Sequence, residues 1–404
     1  MLPYTTIAMT GEGKSISETK CKLILFANTD WYLYNFRRSL ALALQEAGYE
    51  VLMLSPAGPY GEKLRALGLR WQPLPMDRRS LNPLRELALL RHLVRLFRRE
   101  RPALVHGFTI KCAVYGSLAA RMARVPARVS AVAGMGYVFT SRALKARLLR
   151  PLVRLLLRIS LDGAKARLIL QNPDDVALFR RAALVRSDRI RLIRGSGVDC
   201  QRFQTHGLAR DPSAPLRVLL AARLLWDKGI AEYIGAARIL HAEGRVIQFL
   251  LAGDPDPGNP AAVPEATVNG WVDEGVVEWL GHVHDMPSLL AGVDVVTLPS
   301  YYGEGLPKSL IEAAACSLPL VTTDAPGCRE VVTDGVDGLL VPVRDAAALA
   351  RAIARLQDDP SLAQRLGTAA RAKALAEFDE RVINAATLDV YRELLASVCP
   401  SFAG

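Results

Sequence analysis

The sequence lacks long apolar runs, paired cysteines and a clear metal motif. No apolar stretch reaches the roughly eighteen residues that a membrane-spanning helix needs, and residues 1–20 lack the apolar core of a signal peptide. No two cysteines form a C-x-x-C pair, which argues against a zinc site or a disulfide framework and favours a reducing compartment. These absences predict a cytoplasmic protein that attaches to a membrane at most at its surface. The cysteines are Cys21, Cys112, Cys200, Cys316, Cys328 and Cys399.

Two familiar nucleotide-binding motifs are also missing. Residues 8–15 nearly match a phosphate-binding P-loop, but Ala8 stands where the first glycine belongs. A strand predicted from Lys22 leaves no room for the crossover helix that a P-loop must open. No G-x-G-x-x-G follows a strand, so a dinucleotide dehydrogenase has no support either. Residues 1–20 are therefore predicted to be a flexible leader.

Short β-rich runs alternate with helical patterns along almost all of the 404 residues, half of which are apolar. This alternation predicts an α/β fold with doubly wound parallel sheets, and the length predicts two cores. The pattern restarts after a polar segment at 200–215. We therefore expect two Rossmann-like domains facing across a cleft, 21–205 and 206–379, and a helix in 380–404 that can cross back. The predicted strands are 22–27, 50–54, 103–106, 129–132, 167–171, 217–222, 247–252, 276–280, 293–298 and 318–322.

Charge is divided unevenly between the two halves. Residues 1–200 contain 34 Lys and Arg against 14 Asp and Glu, a balance of +20, whereas the remainder has 17 against 26, a balance of −9; the sum is the net +11. A basic half predicts an anionic partner, either nucleic acid or an acidic membrane. Aromatic residues for base stacking are scarce among the cations, so we expect no nucleic-acid partner.

Two basic segments can form amphipathic helices. One is predicted near residues 84–99, and the other carries four arginines on one helical face, opposite several leucines. Such helices can lie on an anionic bilayer. Alternatively, the leucines face the core and the arginines face water. The four arginines are Arg147, Arg150, Arg154 and Arg158.

Candidate chemistry follows two strands of the second half. Arg223 and Lys228 come directly after strand 217–222 and lead into a helix, and two cations beside a helix N-terminus form an anion site. After strand 293–298, Glu304 is predicted in a loop at the mouth of the cleft. Pro307 suits the first turn of a helix that ends near Ala315.

Glu312 stands in the apolar context SLIEAAA, where an ionised carboxylate needs partners. Gly305 and Glu312 are seven residues apart and are predicted to share one helical face. A carboxylate there can accept hydrogen bonds from the two hydroxyls of a ribose.

These features resemble the retaining glycosyltransferases of family 4, which have the GT-B fold. Residues 115–120 and 134–139 are similar to a subgroup that builds bacterial surface polysaccharides on a polyprenyl-diphosphate carrier. The resemblance covers nearly the whole chain through QNPDD at 171–175, GSGVD at 195–199, LAGD at 251–254, GHV at 281–283, LPS at 298–300, GCREV at 327–331 and DGLLVP at 337–342.

The resemblance implies transfer of a hexose or N-acetylhexosamine from a nucleotide-diphosphate sugar, with UDP expected, to a lipid-linked saccharide. It also implies that no metal or other cofactor is used, in agreement with the absence of an obvious Asp-x-Asp motif, and places the protein on the inner face of the cytoplasmic membrane. Arg223 and Lys228 would hold the diphosphate, Glu304 the donor sugar and Glu312 the ribose. The base would meet His282 and Val283, and the phosphate and sugar pocket would be lined by Gly305, Leu306 and Pro307.

The sequence departs from the family at three places. Residues 28–32 replace a glycine-rich loop, and Gly303 replaces an arginine, which leaves the donor sugar open. Ala133 and Gly134 replace a His-Gly pair. If a histidine takes part in catalysis, His106 is the available one; the alternative is that His106 has a purely structural role. A nucleotide-sugar 2-epimerase of the same architecture remains an alternative, and it would convert the donor without an acceptor. A non-catalytic sugar-nucleotide-binding protein is a third.

Overall fold

Two parallel β-sheets organise the computed structural model, which describes residues 21–399 except 79, 81, 133–154, 156, 205–213 and 257. In the first sheet the described strands follow the order β3-β2-β1-β4-β5-β6-β7. Because this order reverses between β1 and β4, a crevice forms there at the carboxyl ends of the strands. The strands are β1 (Lys22–Phe26), β2 (Glu50–Ser55), β3 (Arg70–Pro73), β4 (Leu104–Phe108), β5 (Ala127–Ala131), β6 (Ala166–Leu170) and β7 (Ile190–Leu192).

The second sheet repeats this arrangement. Its described strands follow the order β10-β9-β8-β11-β12-β13, so its own reversal lies between β8 and β11. The predicted fold class, two doubly wound parallel-sheet units, is confirmed. The strands are β8 (Leu216–Ala221), β9 (Ile247–Ala252), β10 (Glu278–Gly281), β11 (Val295–Leu298), β12 (Leu320–Thr323) and β13 (Leu339–Val341).

The central strands are easy to recognise because helices cover both of their faces. β1 and β8 read KLILF and LRVLLA and are almost wholly buried, as strands of parallel sheets usually are. Three short strands, β3, β7 and β13, were not predicted. Each lies at a sheet edge and has only three or four residues, too few to show a clear pattern.

Helices pack on both sheets. The predicted basic helix is present as Pro83–Glu100, with Asn82 capping its first turn. None of the helices in the described part of the chain is long and apolar enough to cross a membrane. The other α-helices whose two ends lie among the described residues are Asp30–Tyr32, Arg38–Glu46, Gly61–Ala66, Ile110–Met122, Pro173–Arg181, Ile230–Ala242, Glu265–Asp273, Met286–Ala291, Lys308–Ala315, Cys328–Val331, Ala346–Asp358, Pro360–Lys373 and Glu380–Leu395.

The last of these helices, Glu380–Leu395, leaves the second sheet and packs on the first. Its residues Ile383, Tyr391 and Leu395 belong to the same core as Leu23 of β1. The chain passes between the sheets at Val198, whose N–H donates to Phe378 O (2.9 Å) and whose carbonyl accepts from Glu380 N (3.0 Å). The segment that leads from the first sheet to the second, at Val198, is therefore hydrogen-bonded to the segment that leads back, at 378–380.

A disulfide joins the two ends of the described chain and corrects one sequence prediction. Cys21, before β1, is bonded to Cys399, beyond the C-terminal helix, with Cα atoms 6.3 Å apart. The prediction that the cysteines form no disulfide was wrong for this pair. The partners are 378 residues apart and meet because the last helix crosses back, which spacing alone cannot reveal. The other cysteines are free and buried.

Candidate active site

The loops after β8 and β11 meet at the strand-order reversal of the second sheet. The carbonyl of Asp227, after β8, accepts from Tyr301 N (3.2 Å) and from Ser300 Oγ (3.0 Å), both after β11. These bonds join the segment that carries Lys228 to the segment that carries Glu304. Sequence reasoning predicted both residues separately, and the fold brings them into contact.

Lys228 and Glu304 form an ion pair at this junction. Lys228 Nζ donates to Glu304 Oε1, and Ser300 Oγ, whose one hydrogen is shared between this oxygen and the Asp227 carbonyl, lies 3.1 Å away. Their side chains are only 17% and 15% exposed. A cation held in place by a carboxylate, with little water around it, is well placed to meet a second, developing negative charge.

Two glycines allow the backbone to approach closely here. Gly229 has a φ of +76°, and a Cβ at this position would overlap the carbonyl of Pro299. Gly327 has a φ of +88°, and its Cβ would lie 2.6 Å from Glu304 O. Glu304 N also donates to Pro326 O at 3.0 Å. The loop that carries Glu304 is thus fixed against the residues that follow β12.

Glu312 lies on the helix Lys308–Ala315, and the geometry corrects two details of its prediction. Pro307 is the extended residue before the helix rather than part of its first turn. Gly305 therefore precedes the helix, and the predicted helical face shared by Gly305 and Glu312 was wrong. Burial raises the pKa of the Glu312 carboxyl, while Lys308, with its Nζ 3.7 Å away, opposes that shift.

The remaining predicted donor-side residues are more open. Arg223 is 64% exposed and pairs with Asp256 at 3.1 Å. His282 is exposed, with Nδ1 3.8 Å from Asp254, and Val283 packs against the core beneath the loop. Leu306 packs against the same core. Within the described residues, no group of three or more His, Cys, Asp or Glu could hold a metal ion.

A cavity of about 310 Å³ lies at the strand-order reversal of the first sheet. Its lining includes Asn28, Lys111 and Gln171, from segments that follow β1, β4 and β6. It also includes Thr109, whose φ of +68° is rare for a β-branched residue. Strained residues of this kind are common at functional sites, and ligands of open α/β sheets usually bind in crevices at the carboxyl ends of the strands.

His106 lies within β4 rather than at its end. Its ring is 1% exposed, packs on Phe108 and is hydrogen-bonded through Nδ1 to Tyr391 Oη of the C-terminal helix at 2.5 Å. Burial, assisted by the Arg37 cation, holds the pKa of His106 well below its usual range. The geometry favours the structural role over catalysis, since the ring joins the sheet to the crossing helix.

The basic segments are only partly described. Arg158 is exposed on a helical turn, and its neighbours Leu155 and Ile159 are exposed as well. On the helix Pro83–Glu100, Leu84 is 78% exposed beside exposed arginines. Apolar and cationic side chains therefore share both surfaces. The other predicted arginines, Arg147, Arg150 and Arg154, lie outside the described residues.

Fold and site together define a two-domain α/β protein with a basic, carboxylate-containing site at the mouth of its second sheet. The chain belongs to the family 4 glycosyltransferases of GT-B fold. Residues 22–172 match the family described as glycosyl transferase 4-like, and residues 215–359 match glycosyl transferases group 1. The resemblance inferred from the sequence is thereby confirmed, and the protein is a glycosyltransferase.

Relatives align over most of the chain. A Campylobacter jejuni protein named N,N'-diacetylbacillosaminyl-diphospho-undecaprenol alpha-1,3-N-acetylgalactosaminyltransferase is 29% identical over 91% of this chain and 97% of its own length. An Escherichia coli UDP-Gal:alpha-D-GlcNAc-diphosphoundecaprenol alpha-1,3-galactosyltransferase is 26% identical, over 70% and 74%. Both are glycosyltransferases, and neither favours the epimerase alternative.

Solved structures share the fold. A glycosyltransferase from Rickettsia africae superimposes with a TM-score of 0.75 at 17% identity, covering 93% of this chain and 99% of that one. Anabaena HepE in complex with UDP and glucose gives 0.74 at 20% identity, with 92% and 100% covered. At these identities the likeness establishes the GT-B fold.

Sequence reasoning missed several residues that shape the site. Ser300 was noted as part of a motif but given no role, although a hydroxyl directly after a buried strand was a usable signal. Gly229 follows the charged residues 227–228, and Gly327 precedes the charged residues 329–330. A glycine at such a loop often marks close contact between backbone segments. Asn172 gave a helix-capping signal just before Pro173, but nothing local pointed to its partner in the other domain.

Proposed function

We propose that the protein transfers a hexose or N-acetylhexosamine from a UDP-sugar to a saccharide carried on polyprenyl diphosphate. The reaction proceeds with retention at the anomeric carbon, as the family resemblance implies. The observation that carries this proposal is the partly buried pair of Lys228 and Glu304 at the reversal of the second sheet. The names of the two relatives supply the class of acceptor.

In this proposal the donor binds across the carboxyl ends of β8 and β11. Lys228 and Arg223 hold the diphosphate, together with N–H groups at the start of the helix Ile230–Ala242. Negative charge grows on the diphosphate as the bond to the sugar breaks and an oxocarbenium-like transition state forms. Fixed cations stabilise this charge without reorganising, which lowers the barrier.

The two glutamates have different tasks. Glu304, held by Lys228 and Ser300, accepts hydrogen bonds from hydroxyls of the donor sugar. Glu312 accepts from the ribose diol. Its burial penalises an ionised carboxylate without partners, and two hydroxyl donors offset that penalty when the nucleotide binds. His282 and Val283 lie beside the base, and residues 305–307 line the phosphate and sugar pocket.

We further propose that catalysis needs no metal. Divalent ions usually neutralise diphosphates through carboxylate-held sites, whereas here two cations and helix N–H groups are assigned that task. The acceptor occupies the cavity at the reversal of the first sheet. The basic segments with exposed leucines hold the protein on the anionic inner face of the cytoplasmic membrane, where a lipid-linked acceptor is found.

The direct test offers purified protein a panel of UDP-Glc, UDP-Gal, UDP-GlcNAc and UDP-GalNAc with undecaprenyl-diphosphate-linked GlcNAc. Mass spectrometry of the lipid fraction should show one added sugar with at least one donor, and NMR should show retained anomeric configuration. Heat-denatured protein serves as the inactive control. Conversion of a donor without acceptor, or no transfer from any donor, would contradict the proposal.

A further inference from the structure

Asn172 stands between the two domains and has no assigned task. It follows β6 in the segment QNPDD and caps the helix Pro173–Arg181, where its Oδ1 accepts from Asp175 N at 2.7 Å. Asn172 is only 1% exposed. A capping residue usually needs its side-chain oxygen alone, so the amide group of Asn172 is free for a second use.

That amide donates across the cleft. Asn172 Nδ2 lies 3.2 Å from Glu304 O and 3.4 Å from Gly305 O in the other domain, and it also donates to Asp175 Oδ2 at 3.1 Å. Because Oδ1 is fixed by the capping bond, the NH₂ group must point towards the loop. The orientation of the amide is thus set by its own helix.

The same peptide is held from the opposite side. Glu304 N donates to Pro326 O, and Gly327 leaves no space for a side chain next to the Glu304 and Gly305 carbonyls. Glu304 is therefore hydrogen-bonded on two sides, to the buried amide of Asn172 in the first domain and to the carbonyl of Pro326 in the second. That residue bears the carboxylate paired with Lys228.

We propose that Asn172 is a positioning residue that fixes the Glu304 carboxylate when the two domains come together. This inference rests on the proposed function, because it assumes that Glu304 binds the donor sugar. Asn172 does not touch the reacting atoms; it acts through the backbone of Glu304. Small displacements of a positioned group can cost large factors in rate, so the effect should appear in kcat rather than in nucleotide affinity.

Two substitutions separate this role from simple helix capping. Asn172→Ser and Asn172→Asp both keep a good capping oxygen, so the helix should stay formed. The thermal unfolding temperature should stay close to wild type for Ser and fall for Asp, because the new charge is buried beside the Asp175 carboxylate. Neither keeps a donor aimed at the two carbonyls, and Asp adds a repulsive charge. We expect kcat to fall by about tenfold for Ser and more for Asp, with free-UDP affinity changed less than about twofold.

Asp174→Asn provides the matched control. It weakens the neighbouring contact between domains, Asp174 to Arg329 at 3.6 Å, in which the side chains are 49% and 38% exposed. Exposed pairs contribute little, so its kcat should remain near wild type. Wild-type kcat in both folded Asn172 variants would show that capping is the whole role and would overturn the inference.

Hydrogen exchange gives a second measurement that does not depend on turnover. In Asn172→Ser, the amides of residues 300–306 should exchange faster than in wild type, while those of residues 174–181 in the helix Pro173–Arg181 should not. Equal exchange in the loop would overturn the inference even where transfer is not detected. If wild-type protein transfers no sugar but the loop responds as expected, the proposed function fails and the positioning contact stands.

Discussion

Removing the charge of Lys228 is the sharpest test of the proposed donor site. Lys228→Met keeps most of the apolar stem and deletes only the cation. A unit charge about 4 Å from a developing anion is worth roughly 4 kcal/mol at the effective dielectric constant of about 20 that is typical of sites near a protein surface. Measured losses of single transition-state contacts are about 2.7–4 kcal/mol, or roughly 10²- to 10³-fold in kcat. We expect a loss in this range.

Arg223→Met is the matched control for charge. It deletes a cation of the same site, but Arg223 is 64% exposed against 17% for Lys228. Because water screens an exposed charge more strongly, its loss should be smaller, about tenfold. Both variants are assayed for UDP release with donor and acceptor, and thermal unfolding confirms that each is folded.

A double variant separates the two consequences of losing Lys228. The substitution deletes a cation and also removes one of the two contacts of Glu304 Oε1, so that the Ser300 hydroxyl remains. If pairing with Glu304 were the whole task, Lys228→Met combined with Glu304→Gln would be no slower than Glu304→Gln alone. We expect it to be slower. Turnover within about threefold of wild type in a folded Lys228→Met protein would refute the assignment to the diphosphate.

Four further outcomes are expected. Glu312→Ala should weaken free-UDP binding by about 10- to 100-fold in calorimetry, whereas Glu304→Ala should leave it nearly unchanged and abolish turnover; equal effects would refute the division of tasks. Turnover should survive EDTA, and a complete loss rescued by Mg²⁺ or Mn²⁺ would contradict metal-independent catalysis. Burial depresses the pKa of His106, so the unfolded chain binds a proton near pH 6.5 that the folded protein does not bind, and stability should fall as pH drops below that value. His106→Gln should therefore flatten the fall of the thermal unfolding temperature with decreasing pH, and an unchanged slope would count against this. Binding to anionic vesicles should weaken with salt and drop by up to roughly 4 kcal/mol, about 1 kcal/mol per cation, when glutamine replaces four arginines, and salt-insensitive binding would leave them a solvated surface. Those four are Arg147, Arg150, Arg154 and Arg158.

The proposed donor site could be predicted from the sequence because each of its parts has a local signal. Lys228 and Glu304 follow apolar strands, and such strands end at one edge of a parallel sheet. Glu312 was conspicuous as an acid in an apolar helix. The contact between Lys228 and Glu304 follows from the strand order alone, because the order of the second sheet reverses between β8 and β11, which makes these two strands neighbours.

What the sequence did not reveal depends on residues far apart in the chain. Cys21 and Cys399 look isolated until the last helix returns to the first sheet. His106 looked like a histidine at a strand end, because its partner Tyr391 lies 285 positions away. Asn172 shows the same limitation: its capping role is local, but its contact with Glu304 exists only between domains. Local sequence patterns predict secondary structure and burial, but they do not identify contact partners that are distant in the chain.

The crossing helix also changes what counts as the first domain. Ile383, Leu394 and Leu395 are buried in the core formed by β1 and β4. Burying one such side chain contributes about 1.5–3 kcal/mol, so the three together supply roughly 5–9 kcal/mol as an upper estimate. That is comparable to the whole net stability of a typical domain, about 5–15 kcal/mol. A fragment ending near residue 205 would therefore expose part of its own core. Residues 380–395 therefore complete the core of the first sheet, and because they follow the second sheet along the chain, that core cannot be completed before the second sheet's residues have been made.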